Sequence, residues 1–173
     1  MSPATHESAL IAGAGPIGLA CAISAKRRGI DPLVIDAGAL VNSIVRYPVG
    51  MVFFTTPDRL EIGGHPLVCA GQKPTREETL KYYRGVATNE GIRVKTSARL
   101  VSVGQSGGAL DCTIVTRHGE THSICDRLVL ATGYYDNPNM LRVPGEDLPH
   151  VSHYFDEAHR SFDQDVVVIG GKN

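Results

Sequence analysis

Residues 8–18 read Ser8-Ala-Leu-Ile-Ala-Gly-Ala-Gly-Pro-Ile-Gly18, an apolar run followed at once by glycines in a Gly-x-Gly-x-x-Gly pattern. The apolar run predicts a short strand buried on both faces, and the glycines predict a turn into a helix. That helix should end in the basic residues before Gly29, and Leu33-Val-Ile-Asp36 predicts a second strand. Strand, helix and strand in this order predict a βαβ unit with a right-handed crossover.

The glycine turn has the chemistry of a pyrophosphate site. Gly13 permits the tight turn, Gly15 leaves room for phosphate oxygens beside the backbone, and Gly18 lets the helix pack close to the sheet. Asp36, at the end of the second strand, would accept hydrogen bonds from both ribose hydroxyls of an adenosine. It would repel a 2′-phosphate, which favours FAD or NAD over NADP at this first site. The alternative is a structural glycine turn with a capping aspartate.

The middle of the chain continues an α/β pattern. Residues 37–74 contain many glycines and prolines and predict an irregular excursion. Thr75 and Glu78 predict a capping box, which starts a helix that should end near Asn89. Residues 92–95 then predict a third parallel strand.

After this strand the pattern changes to short β-type runs divided by glycine turns, which predicts a three-stranded antiparallel meander at residues 100–103, 110–116 and 122–124. Residues 127–133 predict another buried strand that ends in a glycine turn. Residues 165–173 repeat the opening theme, an apolar strand followed by glycines, and stop where a helix should start.

The expected fold class is therefore α/β. We expect a Rossmann-like FAD-binding fold with a parallel sheet, an antiparallel β-meander crossover and the first strand of a truncated second dinucleotide-binding domain. The meander distinguishes an FAD half from a plain NAD half. The expected organisation is an FAD-binding domain at residues 1–133, a linker at 134–163 and the start of an NAD(P)H-binding domain at 164–173.

Composition excludes several other classes of protein. The net charge of −1 leaves no basic footprint for nucleic acid or an anionic membrane, so we expect neither partner. The four cysteines form no CxxC pair, and the linker histidines match no standard metal-ligand spacing, so we expect no metal. The N-terminus shows neither a signal peptide nor a membrane span, which predicts a cytoplasmic protein with reduced thiols.

Further motifs are spread along the whole chain, in residues 53–63, 82–84, 131–136, 144–149, 153–159 and 166–173. In these segments the chain resembles the two-dinucleotide-binding flavoproteins, the group of thioredoxin reductases and flavin monooxygenases, and most of all the YpdA-type bacillithiol disulfide reductases. The resemblance implies FAD at the front, NADPH at a second domain, and reduction of a low-molecular-weight thiol disulfide. The implied cofactor-binding residues are Gly13, Gly15, Pro16, Gly18, Asp36, Ser43, Thr55, Leu100 (through its backbone, toward adenine), Ala131, Thr132 and Gly133 for FAD, and Gly170 and Gly171 for NADPH.

The sequence departs from the family pattern at one position of interest. Related members contain a cysteine within the first glycine motif, where this chain has Ile17. Cys21 lies one helical turn further on, and we expect it to be buried packing. Tyr134 and Tyr135 are compatible both with stacking near the flavin and with packing of the linker. No catalytic acid, base or nucleophile is evident in this segment.

The function expected for the full-length protein is NADPH-dependent reduction of a small-molecule disulfide or other electron acceptor through the flavin. The chain alone should be inactive, because much of the FAD site and the nicotinamide site lie outside it. Two alternatives remain, a flavin-dependent monooxygenase and a non-catalytic flavin- or nucleotide-binding fragment. A homo-oligomer is compatible with the sequence.

Overall fold

The computed structural model describes residues 5–171. Its strands are β1 (Thr5–Glu7), β2 (Leu10–Ala12), β3 (Leu33–Ile35), β4 (Arg93–Lys95), β5 (Ala98–Ser106), β6 (Ala109–Thr116), β7 (Gly119–Cys125) and β8 (Leu128–Leu130). Its α-helices are α1 (Pro16–Lys26), α2 (Asn42–Val45) and α3 (Arg76–Asn89). Two short 3₁₀ helices span Pro57–Arg59 and Ala158–Ser161.

The first sheet is parallel throughout, in the order β4-β3-β2-β8. Leu10 of β2 is in register with Leu33 of β3 on one side and with Leu128 of β8 on the other. The predicted βαβ unit, the third parallel strand and the pairing of the strand after the meander are therefore confirmed. The prediction that this last strand is buried is wrong, because β8 lies at the sheet edge with Leu130 67% exposed. Each strand is slightly shorter than the apolar run that predicts it.

The second sheet contains the predicted meander, with β5, β6 and β7 antiparallel to one another. Its turns contain glycines, and Gly107 and Gly108 adopt positive φ angles of 56° and 89° at the first of them. Strand β1 is not predicted by the sequence, and it pairs in parallel with β7 to complete the order β1-β7-β6-β5. Thr5-His-Glu7 has no apolar run, so no burial signal marks it as a strand.

The two central strands of the parallel sheet, β2 and β3, are buried on both faces, and alternate residues of each strand serve the two sides. On one face, Leu10 and Ile35 pack against meander residues such as Ile114. On the other face, Ile11 and Val34 pack against α1. The molecule therefore has three layers, with helices, parallel sheet and meander sheet stacked in that order.

Two thiols lie in the core between the sheets. Cys112 and Cys125 are fully buried, and their Sγ atoms are 3.7 Å apart. Burial, together with the neighbouring thiol, raises the pKa of Cys112 to about 12. Since the thiolate is the reactive form of cysteine, Cys112 is a structural residue of the core.

Helix α3 begins with the predicted capping box. The backbone N–H of Glu78 donates to the Thr75 hydroxyl at 3.2 Å, and the Glu78 carboxylate accepts the backbone N–H of Thr75 at 2.8 Å. The hydrogen bond from the Thr75 N–H to the carboxylate, together with one from the Ala70 N–H, lowers the pKa of Glu78. The helix buries one stripe, which comprises Thr79, Tyr83, Val86 and Ala87.

Tyrosine hydroxyls of α3 hold the excursion of residues 37–74 in place. Tyr83 is buried and its hydroxyl donates to the backbone carbonyl of Leu60 at 2.8 Å. Tyr82 donates likewise to the carbonyl of His65 at 2.8 Å. Burial raises the pKa of Tyr83 above its usual value, so the phenol remains a neutral donor. The excursion is thus fixed to the helical layer despite having little regular structure.

An ion pair joins the two sheets at their edges. Glu7 of β1 is buried, and its two carboxylate oxygens accept hydrogen bonds from the Arg93 guanidinium of β4 at 2.8 and 3.0 Å. The contact with Glu7 raises the pKa of Arg93. A two-point contact of this kind fixes orientation as well as charge.

The prediction of a strand at residues 165–173 is wrong for residues 165–171, which are the part of this segment that the structure describes. Val167 and Val168 are 85% and 82% exposed, and residues 166–171 pair with neither sheet. A strand needs a neighbour to accept and donate its backbone hydrogen bonds, and none reaches this segment within residues 5–171. Lys172 and Asn173 lie outside the described residues. No helix in residues 5–171 has both the length and the apolar character to span a bilayer.

Candidate dinucleotide-binding site

A crevice of about 810 Å³ opens at the carboxyl ends of the parallel strands, beside the N-terminus of α1. This is the position at which open α/β sheets bind their ligands, and the volume is in the range of small-molecule and cofactor sites. Nine of the predicted site residues line it, namely Gly13, Gly15, Pro16, Asp36, Ser43, Leu100, Ala131, Thr132 and Gly133.

The glycines of the turn have separate geometric roles. Gly13 has a φ of 113°, and a Cβ there would lie 2.1 Å from the Ala131 carbonyl oxygen. A Cβ on Gly18 would lie 1.8 Å from the Gly13 carbonyl oxygen, so α1 approaches the turn as closely as backbone allows. A Cβ on Gly15 would meet nothing within 4 Å. Gly15 therefore presents bare backbone to open space in the crevice, which is the room that a phosphate group needs.

The N-terminus of α1 is available to an anion. The helix has Gly15 at its N-cap and Pro16 in the first turn, with no side-chain cap and no acidic residue there. Its first backbone N–H groups therefore have no side-chain acceptor, and the helix dipole adds partial positive charge at the same point. Together with the open space at Gly15, this arrangement suits a pyrophosphate.

Asp36 lies directly after β3 and lines the crevice. Its carboxylate accepts the Ala14 N–H through Oδ2 and the Gly38 N–H through Oδ1, both at 2.8 Å. A carboxylate oxygen accepts more than one hydrogen bond, so each oxygen keeps capacity for a ribose hydroxyl. The bond to Ala14 shows that Asp36 also braces the glycine turn, so the capping role that the sequence offered as an alternative is present beside a free ribose-binding capacity.

The crevice lining also contains charged and polar residues that were not predicted from the sequence. Arg46, which follows α2, lines the crevice and forms an ion pair with Asp136, which lies beyond β8. Asn137 and Arg99 are also lining residues. Three of these lining residues could have been predicted, because they are close in sequence to predicted site residues. Asp136 and Asn137 follow the glycine turn at Gly133, and Arg99 precedes Leu100. Arg46 has no such signal.

Four predicted residues are not brought to the crevice lining. Gly18 lies beneath the turn, where it serves packing. Thr55 is in a bend of the excursion, and Gly170 and Gly171 are in the exposed C-terminal segment. Cys21 is only partly buried, so the expectation of a buried residue is met in part. Ile17 is 69% exposed at the crevice rim.

Sheet order, glycine turn and meander together define a Rossmann-like FAD-binding fold. A family profile described as pyridine nucleotide-disulphide oxidoreductase matches residues 10–173. The chain belongs to this family.

Individual relatives agree with this assignment. The chain is 46% identical over 168 residues to bacilliredoxin reductase Bdr of Bacillus subtilis, a match that covers 97% of this chain and 51% of the relative. The solved structure of bacillithiol disulfide reductase Bdr (YpdA) from Bacillus cereus is 46% identical with a TM-score of 0.94, and covers 97% of this chain and 52% of that one. The chain thus spans about half the length of these relatives.

A more distant structure shares the fold alone. A flavin monooxygenase from Stenotrophomonas maltophilia is 22% identical with a TM-score of 0.68, over 75% of this chain and 38% of that one. At this identity the structure shows common architecture and does not by itself support the monooxygenase alternative.

Proposed function

We propose that the complete protein is an FAD-dependent NAD(P)H oxidoreductase that reduces a low-molecular-weight thiol disulfide. The observation that most supports this is the crevice itself, where the bare backbone at Gly15, the uncapped N-terminus of α1 and the Asp36 carboxylate face one open space. The relatives with 46% identity are named for reduction of bacilliredoxin and of bacillithiol disulfide, which supports the substrate class.

Each part of the crevice has a task in this proposal. Backbone amides of residues 13–18 bind the pyrophosphate, and Asp36 binds the adenosine ribose. Ser43 and residues 131–133 face the flavin half. When bound, the flavin supplies the electron transfer, since it accepts a hydride from the nicotinamide and passes two electrons to the disulfide.

The remaining parts of the proposal concern organisation. We assign FAD binding to residues 1–133, a linker to residues 134–163, and the opening of an NADPH-binding domain to residues 164–173 with Gly170 and Gly171 in its turn. No cysteine lines the described crevice, so electrons pass to the disulfide from the flavin or through residues beyond those described. A thiol product requires a reducing compartment, and we place the protein in the cytoplasm.

The test is spectroscopic. The complete protein is purified, its bound flavin is released and identified, and the holoprotein is titrated without oxygen with NADPH and, separately, NADH. We expect FAD in the protein and loss of the oxidised-flavin absorption band with NADPH. Protein that binds no flavin under reconstitution would refute the proposal at its base.

A second assay identifies the acceptor. Bacillithiol disulfide and cystine are supplied with NADPH, and free thiol is measured beside oxygen consumption. We expect two thiols for each NADPH oxidised with the bacillithiol substrate. Stoichiometric oxygen uptake with an oxygenated product would instead establish the monooxygenase alternative.

A further inference from the structure

Arg46 is held on several sides at the mouth of the crevice. Its guanidinium pairs with the Asp136 carboxylate, and its Cζ lies 5.3 Å from the centre of the Tyr154 ring. A guanidinium over an aromatic face is attracted by the ring quadrupole. The contact with Asp136 also raises the pKa of Arg46, so the side chain is charged at any physiological pH.

These contacts fix the linker, residues 134–163, against the excursion. The Tyr135 hydroxyl donates to the Arg46 carbonyl at 3.3 Å, and the Tyr154 hydroxyl donates to the Tyr135 carbonyl at 2.9 Å. The Val49 N–H donates to the Asp156 carbonyl at 3.0 Å. Segments that are 90 residues apart in sequence thus form one wall with Arg46 at its centre.

The wall lies on the side of the crevice away from the adenosine. In the sheet order β4-β3-β2-β8, Asp36 follows β3 and Asp136 comes after β8, so β2 and its glycine turn lie between them. A dinucleotide with its ribose at Asp36 and its pyrophosphate at the glycine turn extends toward the β8 side. The half that carries the redox chemistry then faces the Arg46–Asp136 pair.

We propose that Arg46 is a positioning residue for the flavin half of the cofactor, and that the Arg46–Asp136 pair sets the electrostatic field on the flavin. This inference rests on the proposed function. The guanidinium holds the linker wall and contributes a positive charge, and Asp136 contributes the balancing negative charge. The free N–H groups of the guanidinium, which has five donors in all, remain for contacts within the crevice.

The pair has an electrostatic signature that simple structural support lacks. Two-electron reduction with uptake of one proton leaves the flavin with one more negative charge. Removal of the Arg46 charge leaves Asp136 uncompensated and should disfavour reduction, whereas removal of the Asp136 charge leaves Arg46 uncompensated and should favour it. Loss of both should return the equilibrium toward that of the unmodified protein.

The experiment uses the complete FAD-loaded protein in four variants. They are Arg46→Gln, Asp136→Asn, the double variant and Arg46→Lys. Arg160→Gln is the matched control, because Arg160 also pairs with an aspartate of the linker, Asp156 at 3.1 Å, but does not line the crevice. The ratio of oxidised to reduced flavin is measured against a reference dye, and the FAD dissociation rate is measured from the rise in flavin fluorescence after dilution of the holoprotein.

We expect that ratio to rise about two- to fivefold in Arg46→Gln and to fall about two- to fivefold in Asp136→Asn, the effect of one partly screened charge at close range. Arg46→Lys should keep the ratio of the unmodified protein, because its charge is retained. FAD release from Arg46→Gln should be about fivefold faster, since an exposed ion pair and a cation–π contact are lost. Arg160→Gln should change neither quantity.

The outcomes separate this inference from the function on which it rests. If the unmodified protein binds no FAD, the proposed function fails. If it binds FAD but both single variants shift the ratio in the same direction or not at all, the function stands and the role of Arg46 is wrong. Unfolding of a variant is excluded by its circular dichroism spectrum. If Arg46→Gln does not fold, Asp136→Asn decides the test, because an unchanged or higher ratio in that variant would overturn the role of the pair.

Discussion

Replacement of Gly18 by alanine tests how closely α1 lies against the glycine turn. The added Cβ would lie 1.8 Å from the Gly13 carbonyl oxygen, and 3.5 Å from the Ile11 side chain. The near partner is backbone, so no change of rotamer relieves the contact. Helix α1 must move away from β2, which loosens the packing of buried residues such as Leu19 and Ala22.

The magnitude follows from two opposed effects. Alanine is favoured over glycine within a helix by about 1 kcal/mol, and by less in the first turn, where Gly18 lies. Overpacking of a tight core costs about 1–3 kcal/mol, and a backbone contact belongs at the upper end. We expect Gly18→Ala to lower the free energy of unfolding by about 2 kcal/mol.

The same substitution in α3 is the control. Gly85 lies inside that helix, and a Cβ there meets nothing within 4 Å. Gly85→Ala should therefore raise the free energy of unfolding by about 0.5–1 kcal/mol. Urea denaturation of the flavin-free protein, followed by circular dichroism, measures both variants. A Gly18→Ala protein as stable as the unmodified one would refute the close packing of α1 on the turn.

Gly15→Ala separates binding from packing. Gly15 has extended backbone, and its added Cβ meets open space. Alanine makes the unfolded chain less flexible, which stabilises the folded state by about 0.4–1 kcal/mol, but it is a poorer N-cap than glycine. The two effects offset each other, so the free energy of unfolding should change by no more than about 0.5 kcal/mol. The Cβ enters the phosphate space, so FAD affinity should fall about tenfold, equivalent to about 1.4 kcal/mol. Unchanged FAD affinity in a titration would contradict the phosphate position.

Three further predictions concern residues away from the crevice. Native protein at about pH 8 should leave Cys112 and Cys125 unlabelled by iodoacetamide in a mass spectrum, because both are buried and the raised pKa keeps Cys112 a thiol. Tyr83→Phe should lower the free energy of unfolding, measured by urea denaturation, by about 1 kcal/mol, because a backbone carbonyl of the excursion loses its hydrogen-bond donor. Arg93→Ala should lower the free energy of unfolding by about 2 kcal/mol. The loss is smaller than for a fully buried ion pair, because Arg93 is half-exposed. Glu7→Gln in the Arg93→Ala background should restore part of the lost stability.

Much of the fold is predictable from local sequence. The βαβ unit follows from the apolar runs around Gly13 and Asp36, and the capping box at Thr75 marks the start of α3. The glycine turns mark the meander. These signals are local, because burial on both faces, helix capping and tight turns each depend on a few neighbouring residues.

The missed features depend on contacts that are distant in sequence. β1 becomes a strand because β7 offers it a hydrogen-bonding edge, and Thr5-His-Glu7 has no pattern of its own. Arg46 reaches the crevice because Asp136 and Tyr154 hold it there. In the opposite sense, residues 166–169 have a strand pattern but no neighbouring strand among the described residues. The hydrophobic periodicity of a segment indicates which secondary structure it favours, and its tertiary contacts decide which one it adopts.

The pairing of the first strands with the last has a consequence for biosynthesis. Thr5 of β1 contacts Ser123 of β7, 118 residues later, and β2 pairs with β8 across the same separation in sequence. At about 5–20 residues per second, a ribosome needs roughly 6–24 s to supply those partners. Throughout that interval the apolar edge of β2 has no strand on its β8 side, so the parallel sheet cannot be completed until residues 128–130 have been synthesised.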